Sequence, residues 1–361
     1  MKRLTACAIA AASIGMGASC AMAQSAEVEY ATKNLGVSED LVKQACSEGH
    51  LMFYSLIIGG ENSRPAQRFG EHFPCIKIDV FSASGGAIGE RFMTEFRANN
   101  AQADVIMNSS PAFGTEMISS KMLAQYTPPN ADKVVPQWKE EGYWYGVGVV
   151  YIGIGYNTEE ISDSDKAWID GVKTWKQVLD NPFEGRMAMV DIRAGGSTHL
   201  PYYYFKHELG EDSWKKLAAQ KPTIFNGINP MADQLAAGEF AFTPHATLDT
   251  AVNERRERGA PIAWKFPEPG LGIPYFLGIA SNAPHSAAAK LFMAWSLSEE
   301  GATTWVNESG MAPASSLAKD ERDVTKQDWY ALPKEIYQAD WKQISEEIPS
   351  MVKEFQTTFS K

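Results

Sequence analysis

The chain has 361 residues, 44 % of them hydrophobic and 21 % charged, and its 33 basic against 44 acidic side chains give a formal charge of −11. That balance excludes nucleic acid as a partner, because binding to a phosphate backbone needs a basic face. The length exceeds what one hydrophobic core organises, so two domains are expected.

Met1-Lys2-Arg3, an apolar stretch over 4–18 and Ala21-Met22-Ala23 before Gln24 together read as a secretory signal cleaved near Ala23-Gln24. The stretch is too short to span a bilayer, and no later segment reaches the roughly 18 uninterrupted apolar residues that a span needs. Loss of residues 1–23 leaves 338 residues with 31 basic and 44 acidic side chains, a charge of −13. Cys7 and Cys20 leave with the signal. Cys46 and Cys75 remain as an even pair in an oxidising compartment, either bridged or present as two buried thiols.

Helix 38–47 precedes strand 50–56, helix 64–72 precedes strand 76–81, and helix 89–98 precedes strand 103–108. Strands alternating with helices predict a parallel sheet covered on both faces, with ligands gathering at the carboxyl ends of the strands. Those ends carry Tyr54-Ser55, Ser82-Ala83-Ser84-Gly85-Gly86 and Asn108-Ser109, a supply of small hydrogen-bonding groups. The stretch 143–157, with glycines at 146, 148, 153 and 155, is too long for one ordinary strand and is read as a crossing between domains. A second crossing runs over 261–280, where Pro267-Glu268-Pro269-Gly270 breaks a strand that resumes at 272. Two crossings make 148–270 an inserted domain and leave 24–147 with 271–361 as a discontinuous first domain. The fold class is therefore α/β, two Rossmann-like domains joined by a two-strand hinge. Inside the insert, helices are predicted at 174–181, 202–209 and 212–220, and strands at 187–190, 223–225 and 240–243. Helices at 286–297 and 299–309 and a final helical run over 339–359 complete the chain.

Asp191-Ile192-Arg193-Ala194-Gly195-Gly196-Ser197-Thr198 follows the apolar run 187–190 and opens a helix. Orphan N–H groups, the helix dipole, two hydroxyls and a guanidinium converge there, an arrangement that attracts an anion. With the Ser84-Gly85 turn it forms a two-sided clamp. Arg193 has a competing use as an internal salt bridge to Asp191 or Asp249. Catalytic signatures fail: His207-Glu208 lacks the second histidine of a zinc protease, and there is no mature Cys-x-x-Cys or Gly-x-Ser-x-Gly. The Gly146 segment lacks the third glycine of a dinucleotide loop. Tyr202-Tyr203-Tyr204 offers phenols suited to ferric iron, but a helix aims three consecutive side chains about 100° apart.

Taken in order, Phe53-Tyr54-Ser55, Ala103-Asp104-Val105, Trp144-Tyr145-Gly146-Val147, Tyr156-Asn157-Thr158, Asp191 to Thr198, Ala236-Ala237-Gly238-Glu239, Gly259-Ala260-Pro261 and Ala287 to Phe292 with Ser298-Glu299-Glu300-Gly301 resemble a known family. The chain resembles the periplasmic substrate-binding proteins of bacterial ABC transporters, in the branch that holds ferric-iron binders and binders of small organic or phosphorylated anions. The resemblance implies a two-lobed periplasmic-binding-protein fold of type II, a monomer in the periplasm, closure on a solute, delivery to ABC permease subunits, and neither cofactor nor catalysis. Iron binders of this branch place two adjacent tyrosines where this chain has Thr243-Pro244-His245-Ala246, which favours an organic anion (carboxylate, phosphonate or phosphate ester) over ferric iron through Tyr202 and Tyr203. The expected ligand contacts are Ser55, Ser84, Gly85 and Ser109 from the first domain, Arg193, Gly195, Gly196, Ser197 and Thr198 from the second, and Asn226, His245 and Tyr275 at strand ends facing the cleft. The alternative from another class is an exported enzyme using His245 with Asp249 or Asp191.

Overall fold

The computed structural model describes residues 25–56, 64–247 and 253–359. The segment read as a signal sequence and the proposed partner Asp249 lie outside the described residues. Strands β1 (His50–Leu56), β2 (Lys77–Ala83) and β3 (Val105–Asn108) pair in parallel in the order β2-β1-β3. Helices Arg64–His72, Gly85–Arg97 and Pro111–Ser119 follow them in turn. The last two start at serine caps: Ser84 Oγ accepts from the Ala87 amide, and Ser110 Oγ accepts from the Phe113 amide ahead of a proline at the first turn. A covered parallel strand buries side chains on both faces. Accordingly Leu51, Phe53 and Tyr54 of β1 are all buried, and Phe53 packs on Phe292 and Trp305.

The stretch read as a crossing is one continuous strand, β5 (Trp144–Asn157), shared by two lobes. Its first part pairs antiparallel with β10 (Leu271–Ile279), which lies between β3 and β5, while β4 (Lys139–Glu140) borders the same end. Its last part pairs with β8 (Phe242–Thr247) and β9 (Ile262–Lys265) of the second lobe. Glycine is required where this strand is crowded, since a Cβ on Gly148 would sit 2.7 Å from Met311 Cβ. The return passage is β9, a break containing the cis Glu268–Pro269 bond, and then β10. Two antiparallel strands thus connect the lobes. In the second lobe β6 (Ala188–Val190) pairs in parallel with β7 (Thr223–Phe225) and meets β8 through a bridge between Met187 and Phe242.

Helices Ser286–Ser296 and Glu299–Ser309 pack on the helices of the first lobe. The chain then passes over the second lobe, where Trp329 and Tyr330 meet Trp264, and ends in the helix Trp341–Phe359. That helix, expected with the first domain, packs against Pro111–Ser119 of the first lobe and against His199–Glu208 and Ser213–Ala219 of the second. Ile344, Met351 and Phe355 form its buried stripe at helical spacing. Cys46 and Cys75 are bridged, with Cα atoms 5.2 Å apart, tying the helix Glu39–Glu48 to the turn before β2. Among the described residues no helix is long and apolar enough to cross a membrane.

Candidate functional site

The first-lobe candidates gather at the carboxyl ends of β1, β2 and β3. Asn108 joins two of the loops: its Nδ2 donates to the Gly85 carbonyl at 3.1 Å and its Oδ1 accepts from the Ser110 amide at 2.9 Å. A Cβ on Gly85 would approach Leu56 Cδ2 to 3.2 Å, so the loop sits tightly over the end of β1. Ser109 is buried and hydrogen-bonds Tyr275 of β10, beside the register shift between Tyr275 and Phe276. Burial pushes the Tyr275 phenol up to about 12, with the Ser109 bond acting in the opposite direction. Ser84 serves as a helix cap. The Ser55 hydroxyl is buried and donates to the Leu56 carbonyl at 3.0 Å, so it is turned into the chain itself.

In the second lobe the anion-clamp motif folds as two short 3₁₀ turns, Ile192–Ala194 and Gly196–Thr198, ahead of the helix His199–Glu208. Gly195, at φ +73°, makes the reversal between them. Asp191 accepts from the Arg193 amide at 2.8 Å and grips the guanidinium through Nη2 to Oδ2 at 2.6 Å and Nε to Oδ1 at 3.0 Å. The competing salt bridge is therefore the one formed. Burial raises the Asp191 carboxyl, but hydrogen bonds from the Arg193 side chain and amide outweigh it and hold the group below the usual carboxylate range. The Arg193 side chain stays 58 % exposed, and its Nη1 has no partner among the described residues. Thr198 donates to the carbonyls of Ile192 and Gly195, which closes the turn rather than offering its hydroxyl outward. Ser197 is half-buried, and its hydroxyl has no partner among the described residues. His199, which sequence reasoning missed, sits behind this turn, and burial pushes its imidazole down to about 4 against a bond to the Ile192 backbone.

Arg193 and Asn226 meet at a cavity of about 300 Å³ whose other walls are Asp191, Ile224, Phe225, Phe355, Gln356 and Phe359. The last three come from the C-terminal helix. Its apolar stripe signalled a covered face but not what covers it. None of Ser55, Ser84, Gly85, Ser109 or Tyr275 lines this cavity. The candidates thus form two groups, one on each lobe.

His245 belongs to neither. It is 2 % exposed, edge-on to Tyr202 with centroids 4.8 Å apart and near Phe205, and burial pushes its imidazole down to about 3. It makes no hydrogen bond to Asp191, so the pairing offered for an enzyme is not formed. The tyrosine run is committed elsewhere as well. Tyr202 donates to the Val190 carbonyl at 2.7 Å and packs on Trp214 and Phe355, Tyr203 stacks on His207, and Tyr204 meets Tyr337. All three rings are buried, and a ferric site through Tyr202 and Tyr203 would have to dismantle that packing.

Two lobes spanned by a shared strand, with loops from parallel strand ends on each, define a solute-binding protein of the kind that serves ABC transporters. The family described as bacterial extracellular solute-binding protein matches residues 100–343, and the chain belongs to it. An uncharacterized protein of Haemophilus influenzae is 27 % identical over 271 residues, covering 71 % of this chain and 75 % of that one. Among solved structures, the periplasmic binding protein AfuA from Actinobacillus pleuropneumoniae, with exogenous fructose-6-phosphate bound, aligns with a TM-score of 0.69 at 20 % identity over 86 % of this chain and 99 % of its own. Iron-bound HitA from Pseudomonas aeruginosa aligns with a TM-score of 0.70 at 16 % identity over 85 % and 99 %. The substrate-binding protein of an ABC transporter from Agrobacterium tumefaciens reaches 0.73 at 13 % identity over 86 % and 94 %. At these identities the structures establish the two-lobed fold.

Proposed function

We propose that this binding protein captures a small organic anion, a carboxylate, phosphonate or phosphate ester, between its lobes and hands it to an ABC permease as a monomer. The observation that carries the reading is the Asp191–Thr198 turn: Arg193, whose Nη1 has no partner among the described residues, lines the cavity shared with Asn226, and the same turn carries Ser197 and opens the helix His199–Glu208. Charge-assisted hydrogen bonds of this kind are the strong ones, and closure of the first lobe with Ser84, Gly85 and Ser109 would add to them by excluding water. A micromolar solute needs about 8 kcal/mol, within reach of several such contacts. AfuA holds a sugar phosphate and HitA iron at nearly equal similarity, so the preference for an anion rests on the Asp191–Thr198 turn and on the buried packing of Tyr202 and Tyr203.

Native mass spectrometry of the gently purified chain, followed by thermal shift against carboxylates, phosphonates and sugar phosphates, tests the proposal. One anion should give a saturable shift and be recovered unchanged; its conversion would mark an enzyme instead. Arg193→Ala should abolish capture while leaving the melting temperature of the unliganded chain nearly unaltered, as expected for an exposed guanidinium. Full affinity in that variant would assign the guanidinium to the turn alone.

A further inference from the structure

At the amino ends of β1 and β3, on the opposite edge of the sheet from the solute loops, three side chains from distant parts of the chain converge. His50 begins β1, Asp104 immediately precedes β3, and His285 precedes the helix Ser286–Ser296. One nitrogen or oxygen donor from each lies within 4.8 Å of the others, and the two imidazole centroids are 4.8 Å apart. Asp104 is fully buried and rigidly held: Oδ1 accepts from the His285 amide at 2.7 Å and Oδ2 from the Met52 amide at 2.7 Å. His285 Nδ1 lies 2.9 Å from Asp104 Oδ2. Two cis ligands at about 2.1 Å from one ion stand about that far apart.

We propose that His50, Asp104 and His285 bind a divalent first-row transition-metal ion, with water completing its shell. The ion takes the place of the proton between His285 Nδ1 and Asp104, and the ring carries its hydrogen on Nε2 instead, so the imidazole stays neutral and changes tautomer with no net release of a proton. His50 moves toward the ion by rotation of its side chain, which is 27 % exposed; His285, at 26 %, leaves a path from solvent. Two imidazoles and one carboxylate are the ligand set that suits zinc, cobalt or nickel over calcium or magnesium. A second carboxylate is within reach of that ring, since Asp79 Oδ2 now lies 2.8 Å from His50 Nε2 and can serve as the outer partner that metal-binding histidines generally have. Lys77, 2.9 Å from the same oxygen, neutralises Asp79 and keeps it from competing as a ligand. The ion would join β1, β3 and the Ser286–Ser296 helix, segments separated by up to 235 residues in sequence. Seven strand residues, roughly 20 Å, separate this edge from the loops at the other end, so the proposal stands apart from the solute reading.

The untagged full chain, stripped with chelator, is dialysed to equilibrium against zinc and assayed for metal by elemental analysis, and then loaded with cobalt for its visible absorption. The expected result is one zinc per chain and a cobalt spectrum with protein-ligand bands, both lost in His50→Ala and in His285→Ala. Asp79→Asn should weaken zinc binding by about tenfold or more. His207→Ala, whose ring stacks on Tyr203 and bonds Glu347 on the other lobe, should bind as the parent does. If His285→Ala fails to fold, the half-exposed His50→Ala decides. No stoichiometric zinc in the parent chain, or undiminished zinc in a folded His50→Ala variant, would overturn the site and leave a His285–Asp104 hydrogen bond with a structural role.

Discussion

His245 distinguishes a packed core from a solute contact, because the two environments titrate differently. Burial pushes its imidazole down to about 3, whereas in an unfolded chain it titrates near 6.5, an approximate reference value. Between those values the unfolded chain holds a proton that the folded chain refuses. Full stability is therefore present above about pH 6.5 and is lost as the pH falls toward the folded value. At about pH 4.5, two units below the unfolded value, the loss from this one ring is about 3 kcal/mol. His245→Leu is close in volume, does not titrate, and strands no partner, since the buried Nε2 has none among the described residues. Urea unfolding of parent and variant at about pH 7 and about pH 4.5 gives four stabilities. The fall between the two pH values should be smaller in the variant by about 2–3 kcal/mol, any constant packing cost cancelling in the difference. Carboxylates such as Asp191 act alike in both proteins and cancel too. Equal falls would refute the buried, neutral imidazole. Loss of solute capture by the variant at neutral pH would return His245 to the clamp.

Two further changes probe the architecture. Replacing Cys46 and Cys75 together with alanine opens a link between positions 29 apart, which by loop closure should cost about 3.5 kcal/mol in urea unfolding under oxidising conditions; a cost below about 1 kcal/mol would show that the unfolded chain already keeps these segments together. Phe355→Ala removes a ring 5.1 Å from Tyr202 and 6.3 Å from Trp214, for an expected loss of about 3–5 kcal/mol and a changed near-ultraviolet circular dichroism spectrum; an unaltered spectrum would mean that the C-terminal helix is not seated on the second lobe.

Local chemistry made much of the scaffold legible. The helix expected over 38–47 forms at Glu39–Glu48, where the Ser38 hydroxyl accepts from the Leu41 amide as its cap. The glycine-spaced run ending at Asn157 and the proline break before β10 announced the passages between lobes, because the run is too long for one ordinary strand. Strand ends were harder to read. The strand expected over 103–108 starts at Val105, although the Asp104 backbone still bonds Met52 and Ala280 while its carboxylate accepts from the Met52 and His285 amides. The one expected to stop at 243 continues through Pro244 to Thr247, where the register shift between Gly153 and Gly155 accommodates a residue without an N–H.

The site was less legible, for a physical reason: pattern fixes which face of an element is covered, not by which neighbour. Arg193 and Asp191 stand two residues apart in a turn whose dihedral angles alone decide whether they grip each other, and they do. Tyr202 and His245 had polar groups that suggested a ligand, yet both lie beneath or beside helices contributed by distant sequence. Gln356, Phe355 and Phe359 reach the cavity only because the final helix crosses back to the second lobe, which no local motif encodes.

The position of β10 has a consequence for assembly. Its hydrogen bonds fill the gap between β3 and β5, so until residue 279 has been delivered those two neighbours each have an unsatisfied border, and the first lobe's sheet stays in two pieces. Ordering of this sheet must wait for nearly four-fifths of the polypeptide, and that wait is longer still for the helix that rests on both halves.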